Sequence, residues 1–267
     1  MPVSRANGLD IHYEKAGSGP ALVLIHALPF DHNLWLYQVA SFSQHFTTIA
    51  MDLRGWGRSA KPRTPFSLRD MGDDIVGILS DEGLDKAILL GCSIGSKIAL
   101  MLACDHAELV PAAILVGGNS GPQHQFGHRI AAYRAHAEAG TFRDYHLSHL
   151  RHGVTEAWAD SPVGRYLLQG FVERGEALDA ESIAEVFGAL GTSNLTPKLA
   201  AYDRPLLIVN GEFDDARPGG TRTASLISQA EHVVLPGTGH CCFLEDPAGF
   251  DDTVRGFLAR NGLWPSP

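Results

Sequence analysis

The sequence predicts an α/β fold: a mostly parallel central sheet flanked by helices, with a helical segment inserted between two of its strands. Three observations carry this. Short apolar runs alternate with longer stretches of helical pattern, which is how parallel strands joined by crossover helices read. Several runs are apolar without interruption, among them Ala21-Leu22-Val23-Leu24-Ile25 and Pro205-Leu206-Leu207-Ile208-Val209. Strands covered on both faces have that pattern. The strand signal stops at about Asn119, and it resumes at Pro205.

Taken in order, strands are expected at 11–15, 22–26, 47–52, 87–91, 113–116, 206–210 and 233–235. Helices are expected at 34–44, 67–81, 94–104 and 247–260. In the last, Asp246 is placed to cap and Pro247 to open the first turn. The segment 119–201 is rich in Ala, Glu, Arg, Gly and His, and reads as short helices broken near Gly153, Gly175 and Gly191 to Pro197. Residues 1–118 and 202–267 then form the core, and 119–201 a helical cap over the carboxyl ends of the strands, where ligands bind in open sheets.

The 267 residues suffice for a sizeable core without disulfide or metal support. A formal charge of −9 argues against a binder of duplex nucleic acid, which needs a clustered basic face. The first eight residues have no apolar core or cleavage site, and no apolar stretch approaches membrane length. Cys92, Cys104, Cys241 and Cys242 lack metal-ligand spacing and read as buried free thiols, which suits a reducing cytoplasm. Oligomeric state leaves no signal.

Gly91-Cys92-Ser93-Ile94-Gly95 fits G-x-S-x-G. It follows an apolar strand and opens a helix, the strand–turn–helix context that holds a nucleophilic serine on a strained elbow. The N-terminus of the helix also presents free N–H groups, that of Ile94 first, to a developing oxyanion. A serine that merely caps a helix is the simpler alternative, and the flanking glycines and strand weigh against it.

With Leu24-Ile25-His26-Ala27-Leu28-Pro29 and Asp52-Leu53-Arg54-Gly55-Trp56-Gly57-Arg58-Ser59 in the same order, the chain from Gly19 onward resembles the α/β-hydrolase superfamily. Within it, the pattern is similar to small esterases, enol-lactonases and haloperoxidase-like perhydrolases. The resemblance implies the α/β-hydrolase fold and a serine, acid and histidine in that chain order. It makes His240, in Pro236-Gly237-Thr238-Gly239-His240, the base. In Asn210-Gly211-Glu212-Phe213-Asp214-Asp215 it makes Asp214 the acid, with Asp215 the neighbour to be told apart and Glu212 structural. The alternative acid position some relatives use, after the earlier strand that ends at Val116, holds no carboxylate. Leu28 is implied as the second oxyanion donor, although Ala27 stands where the family usually has glycine and would be strained if that position required positive φ.

His26 reads as a structural hydrogen-bonding residue, Trp35 as core, and Phe30 and Trp56 as either core or pocket. The cap histidines, His124 and His128 with them, read as solvated and give no metal pattern. The function expected is hydrolysis of a small carboxylic ester or lactone through an acyl-enzyme, without metal or organic cofactor. Hydrolytic C–C cleavage of a vinylogous diketone and ligand reception on a hydrolase scaffold are the alternatives.

Overall fold

A computed structural model describes residues 2–5, 7–122, 127–175 and 180–265. Eight strands form one sheet: β1 (Val3–Ser4), β2 (Ile11–Ala16), β3 (Ala21–Ile25), β4 (Thr47–Met51), β5 (Ala87–Cys92), β6 (Ala113–Val116), β7 (Leu206–Gly211) and β8 (Ala230–Leu235). Their order is β1-β2-β4-β3-β5-β6-β7-β8. The pairs β1–β2 and β2–β4 are antiparallel and all others parallel. The order reverses about β3, so β3 and β5 bring the loops after them together at one end of the sheet.

Period-2 alternation explains the continuous apolar strands. Val23 and Ile25 enter one core and Leu22 and Leu24 the other; Leu206 and Ile208 likewise oppose Leu207 and Val209. The first core is closed by α2 (Leu68–Asp81) and α3 (Ile94–Asp105). The second is closed by α1 (Leu36–Phe42) and the last helix, Pro247–Arg260. Ser67 and Asp70 make a reciprocal capping box that starts α2, and Asp246 accepts the Gly249 N–H at the start of the last helix.

Between β6 and β7 the described residues contain no strand. They form α4 (Gly127–Glu138), α5 (Phe142–Arg151), α6 (Glu156–Ala159), α7 (Pro162–Gly175), α8 (Ala180–Thr192) and a 3₁₀ turn, Thr196–Ala201. The helical insertion therefore lies where the sequence interrupts its strands.

Several elements differ from expectation. The helix expected over 34–44 is a 3₁₀ turn, His32–Trp35, followed by α1, because Asp31 accepts the Asn33 N–H and starts the tighter turn. The two-residue β1 is too short to carry a pattern. Helix α9 (Arg217–Ser225) is missing from the sequence reading because Gly219 and Gly220 give it poor intrinsic propensity. After α10 (Cys242–Glu245), the final helix, Pro247–Arg260, is α11.

Candidate active site

Ser93 stands between β5 and α3 with φ 55° and ψ −108°, the only described residue other than glycine at positive φ. Such a conformation persists only where the surroundings impose it. Its N–H donates to Val116 O on β6 at 2.8 Å. A Cβ on Gly91 would run into the Gly95 backbone, and one on Gly95 into the carbonyl of Ile25. Both glycines are thus required by close approach, and α3 starts hard against the end of β3. Ile94, first in α3, has no intrahelical acceptor for its N–H.

The end of β3 leads into the loop that carries Leu28. A turn closes it, with Phe30 N–H donating to Ala27 O at 2.9 Å around the cis Leu28–Pro29 peptide. Ala27 is buried and does not have positive φ, so the alanine fits without the strain its substitution for glycine raised. His26 is structural as expected: its Nε2 accepts the Leu53 N–H at 3.0 Å, and Nδ1 lies 2.9 Å from Ala27 O.

Asp214 and His240 meet across the loops after β7 and β8. His240 Nδ1 is 2.8 Å from Asp214 Oδ1. The same carboxylate accepts the Ala216 N–H at 2.9 Å and Asn210 Nδ2 at 2.7 Å, while Asn210 Oδ1 faces His232. Asp215 is exposed and contributes nothing to this network in the described structure. Glu212 is structural, accepting the Gly237 N–H at 2.8 Å.

The imidazole of His240 occupies the space a Cβ on Gly117 would fill, and Gly117 has φ +60°. Since Gly117 follows Val116, the acceptor of the Ser93 N–H, the ring is brought beside the elbow. Burial disfavours charge on His240, but the Asp214 carboxylate outweighs it and lifts the pKa to about 9. Burial would likewise raise Asp214; the charge and hydrogen bond of His240 outweigh it and hold the carboxyl low.

Two contacts fasten the His240 loop to the insertion. Cys241 N–H donates to Gly153 O at 2.7 Å. Glu245 accepts from Gly239 N–H at 2.6 Å through one oxygen and from Thr155 N–H at 3.0 Å through the other. Glu245 was not legible in advance: its partner Thr155 is 90 residues away. Asn210 was visible within its motif, but nothing in the sequence showed which oxygen it serves.

Trp35 is fully buried and stacks on Phe243, as a core residue. Trp56 is also fully buried. Phe30 packs edge-on against Phe171 of α7, and Asp31 meets Arg174 at 3.2 Å, so the loop that carries Leu28 touches the insertion. The histidines of the insertion are not uniformly solvated. His128 and His152 are exposed, but His146 is buried and His149 half-buried; His124 lies outside the described residues. All four cysteines are free, with Cys92 and Cys241, beside Ser93 and His240, fully buried together with Cys242.

One group has the donor set of a metal site. Ligand atoms of His12, Glu14 and His32 lie within 4.8 Å of one another. The Arg58 guanidinium already fills the cationic role there, 3.3 Å from Glu14 and 3.5 Å from His12, and His32 Nδ1 is held by Asp52 at 2.8 Å. These residues make an internally satisfied network that fits a metal poorly.

A sheet with a serine elbow, an acid–histidine pair and a helical insertion defines an α/β hydrolase. The family described as alpha/beta hydrolase fold matches residues 20–247, and the chain belongs to it. A 2-hydroxy-6-oxo-6-(2'-aminophenyl)hexa-2,4-dienoic acid hydrolase of Metapseudomonas resinovorans is 26% identical over 96% of this chain and 90% of its own. The soluble epoxide hydrolase of Corynebacterium sp. (strain C12) is 40% identical, but over only 39% of this chain and 36% of that protein. Among solved structures, the enol-lactonase of Burkholderia xenovorans LB400 superposes with a TM-score of 0.86 at 24% identity, covering 97% of this chain and all of that one. Est816, an N-acyl homoserine lactone degrading enzyme, has a TM-score of 0.82 at 26% identity, covering 96% and 100%. No helix among the described residues is long and apolar enough to cross a membrane.

Proposed function

We propose that the protein cleaves a small carboxylic ester or lactone through an acyl-enzyme, with Ser93 as nucleophile, His240 as base and Asp214 as supporting acid. The hydrogen bond between Asp214 and His240, whose ring stands over Gly117 beside the Ser93 elbow, carries the reading. His240 takes the proton of Ser93 as its oxygen attacks the carbonyl carbon, then returns it to the leaving oxygen. Asp214, by accepting from Nδ1, leaves Nε2 as the basic nitrogen. The N–H groups of Leu28 and Ile94 receive the oxyanion, each such donor contributing about 3 kcal/mol to the barrier reduction. Water then enters the same position and releases the acid. No metal or organic cofactor takes part, and residues 119–201 act as the cap that shapes the pocket. The free thiols fit a cytoplasmic enzyme.

The ester and lactone reading draws support from Est816, whose likeness spans both chains. C–C cleavage is the second reading, favoured by the full-length likeness to the dienoic acid hydrolase. A p-nitrophenyl ester series, acetate to decanoate, tests the first with wild type and Ser93→Ala. Multiple turnovers that vanish in Ser93→Ala are expected. Turnover retained in the variant overturns the role of Ser93, and absence of turnover on all esters with cleavage of a vinylogous diketone transfers the protein to the second reading. Neither reaction, with slow single-turnover binding, is the behaviour of a receptor.

A further inference from the structure

Helices α4 and α5 bring Arg129, Tyr133 and His149 into one cluster. Arg129 Nη1 is 3.4 Å from His149 Nε2, and the rings of Tyr133 and His149 are 5.6 Å apart. His149 lies one helical turn before Gly153, whose carbonyl accepts the N–H of Cys241. The tether therefore sets this cluster on the His240 side of the insertion. Tyr133 is fully buried, and its hydroxyl has no hydrogen-bond partner among the described residues. An orphaned buried hydroxyl calls for an acceptor that the described residues do not supply.

The charge effects on His149 from the described residues come from cationic groups. Burial first, and then the guanidinium of Arg129 and the neighbouring His146, hold His149 neutral, with its pKa down at about 3. Arg129 is also near enough to His240 to act against its protonation, in opposition to Asp214. A cation is thus held within electrostatic reach of His240 in a chain whose net charge is −9. Guanidinium groups bind carboxylates through paired, charge-assisted hydrogen bonds, and a tyrosine hydroxyl donates to the same kind of oxygen.

We propose that Arg129, with Tyr133 and His149, receives a carboxylate of the substrate, so that the ester or lactone cleaved at Ser93 is an anion. The proposal rests on the ester and lactone reading of the same site. Arg129 is here a specificity residue that contacts the distal carboxylate and takes no part in bond cleavage.

The test separates the two readings by measuring binding without turnover. Ser93→Ala is titrated calorimetrically with mono-4-nitrophenyl glutarate and its neutral methyl ester. The pair 4-acetoxybenzoate and methyl 4-acetoxybenzoate places the charge on the alcohol side instead. In one pair or the other the anion binds about tenfold or more tighter, the range of a charge-assisted hydrogen bond. Arg129→Gln erases that preference. Arg134→Gln, on the same helix but paired with Glu181 at the surface, retains it. Equal affinity within both pairs, binding of no ester, or a preference that survives Arg129→Gln overturns the proposal. Wild-type turnover of neutral esters without an anion preference removes only the carboxylate site. An anion preference in binding without turnover of any ester removes only the hydrolysis reading.

Discussion

At the scale of the residue, His240 is the most exacting position. Its folded pKa is raised because the imidazolium is favoured beside Asp214. Stability from that pairing is full below the ordinary histidine value and is lost as pH rises through the folded value of about 9. Under the proposed mechanism activity has the opposite sign, since His240 as base must be neutral. kcat/KM is expected to climb between pH 6.5 and about 9, and Asp214→Asn to move the limb to lower pH while lowering the plateau. A pH–rate profile of both proteins checks this. Asp214→Asn should cost about 10⁴-fold in kcat and Asp215→Asn less than about threefold, because only Asp214 is buried against the ring. Gly117→Ala puts a methyl group where the imidazole sits, and kcat/KM is expected to fall about a hundredfold, with a native circular dichroism spectrum. The Ser93 elbow and the Asp214 and His240 loops were legible because each is local: a strand, a turn and a polar side chain within a few residues. Gly117 was not. Its need for glycine comes from a ring 123 positions later in the chain, a coincidence of the fold that no local pattern encodes.

At the scale of the element, the loop after β4 shows how sequence conflict is settled by partners. Arg54 is buried and makes two hydrogen bonds at 2.7 Å to Asp74 of α2, with a third to Asp70 O at 2.9 Å. Asp52 is buried as well; burial would raise its carboxyl, but the hydrogen bond and charge of His32 outweigh it and hold the pKa at about 2. Both carboxylates are therefore framework, fastening the loop to α2 and to the 3₁₀ turn. Arg54→Ala leaves Asp74 buried without its cation, and should lower unfolding free energy by about 3–5 kcal/mol, read as a fall in the urea midpoint. The continuous apolar strands and the capped helices α2 and α11 were legible because burial on both faces and side-chain caps leave strong local marks. Helix α9 was not, since Gly219 and Gly220 oppose it and its place beside β7 and β8 supplies what its propensity lacks.

At the scale of the whole molecule, the insertion and the core meet at the loops that carry His240 and Leu28. Glu245 joins Gly239 to Thr155, Cys241 joins Gly153, and Phe171 and Arg174 of α7 rest on Phe30 and Asp31. That helices replace strands between β6 and β7 was readable from the loss of strand signal. How it docks was not, because docking is made by pairs far apart in the chain. Glu245→Ala should lower kcat about tenfold by loosening His240, with a smaller relative change in KM, and Glu245→Gln should recover part of it. Steady-state kinetics on the three proteins decides.

The thiols beside Ser93 and His240 give the same assembly an intrinsic clock. Cys92, Cys241 and Cys242 are each fully buried, whereas Cys104 is half-buried with its pKa pushed up by burial to about 11. A disulfide reagent such as Ellman's should therefore meet no more than one thiol in the folded protein. The other three are released only when the packing of loop, sheet and insertion comes apart. Their colour yield over time reports how often the molecule opens at its centre, without a label and without a substrate.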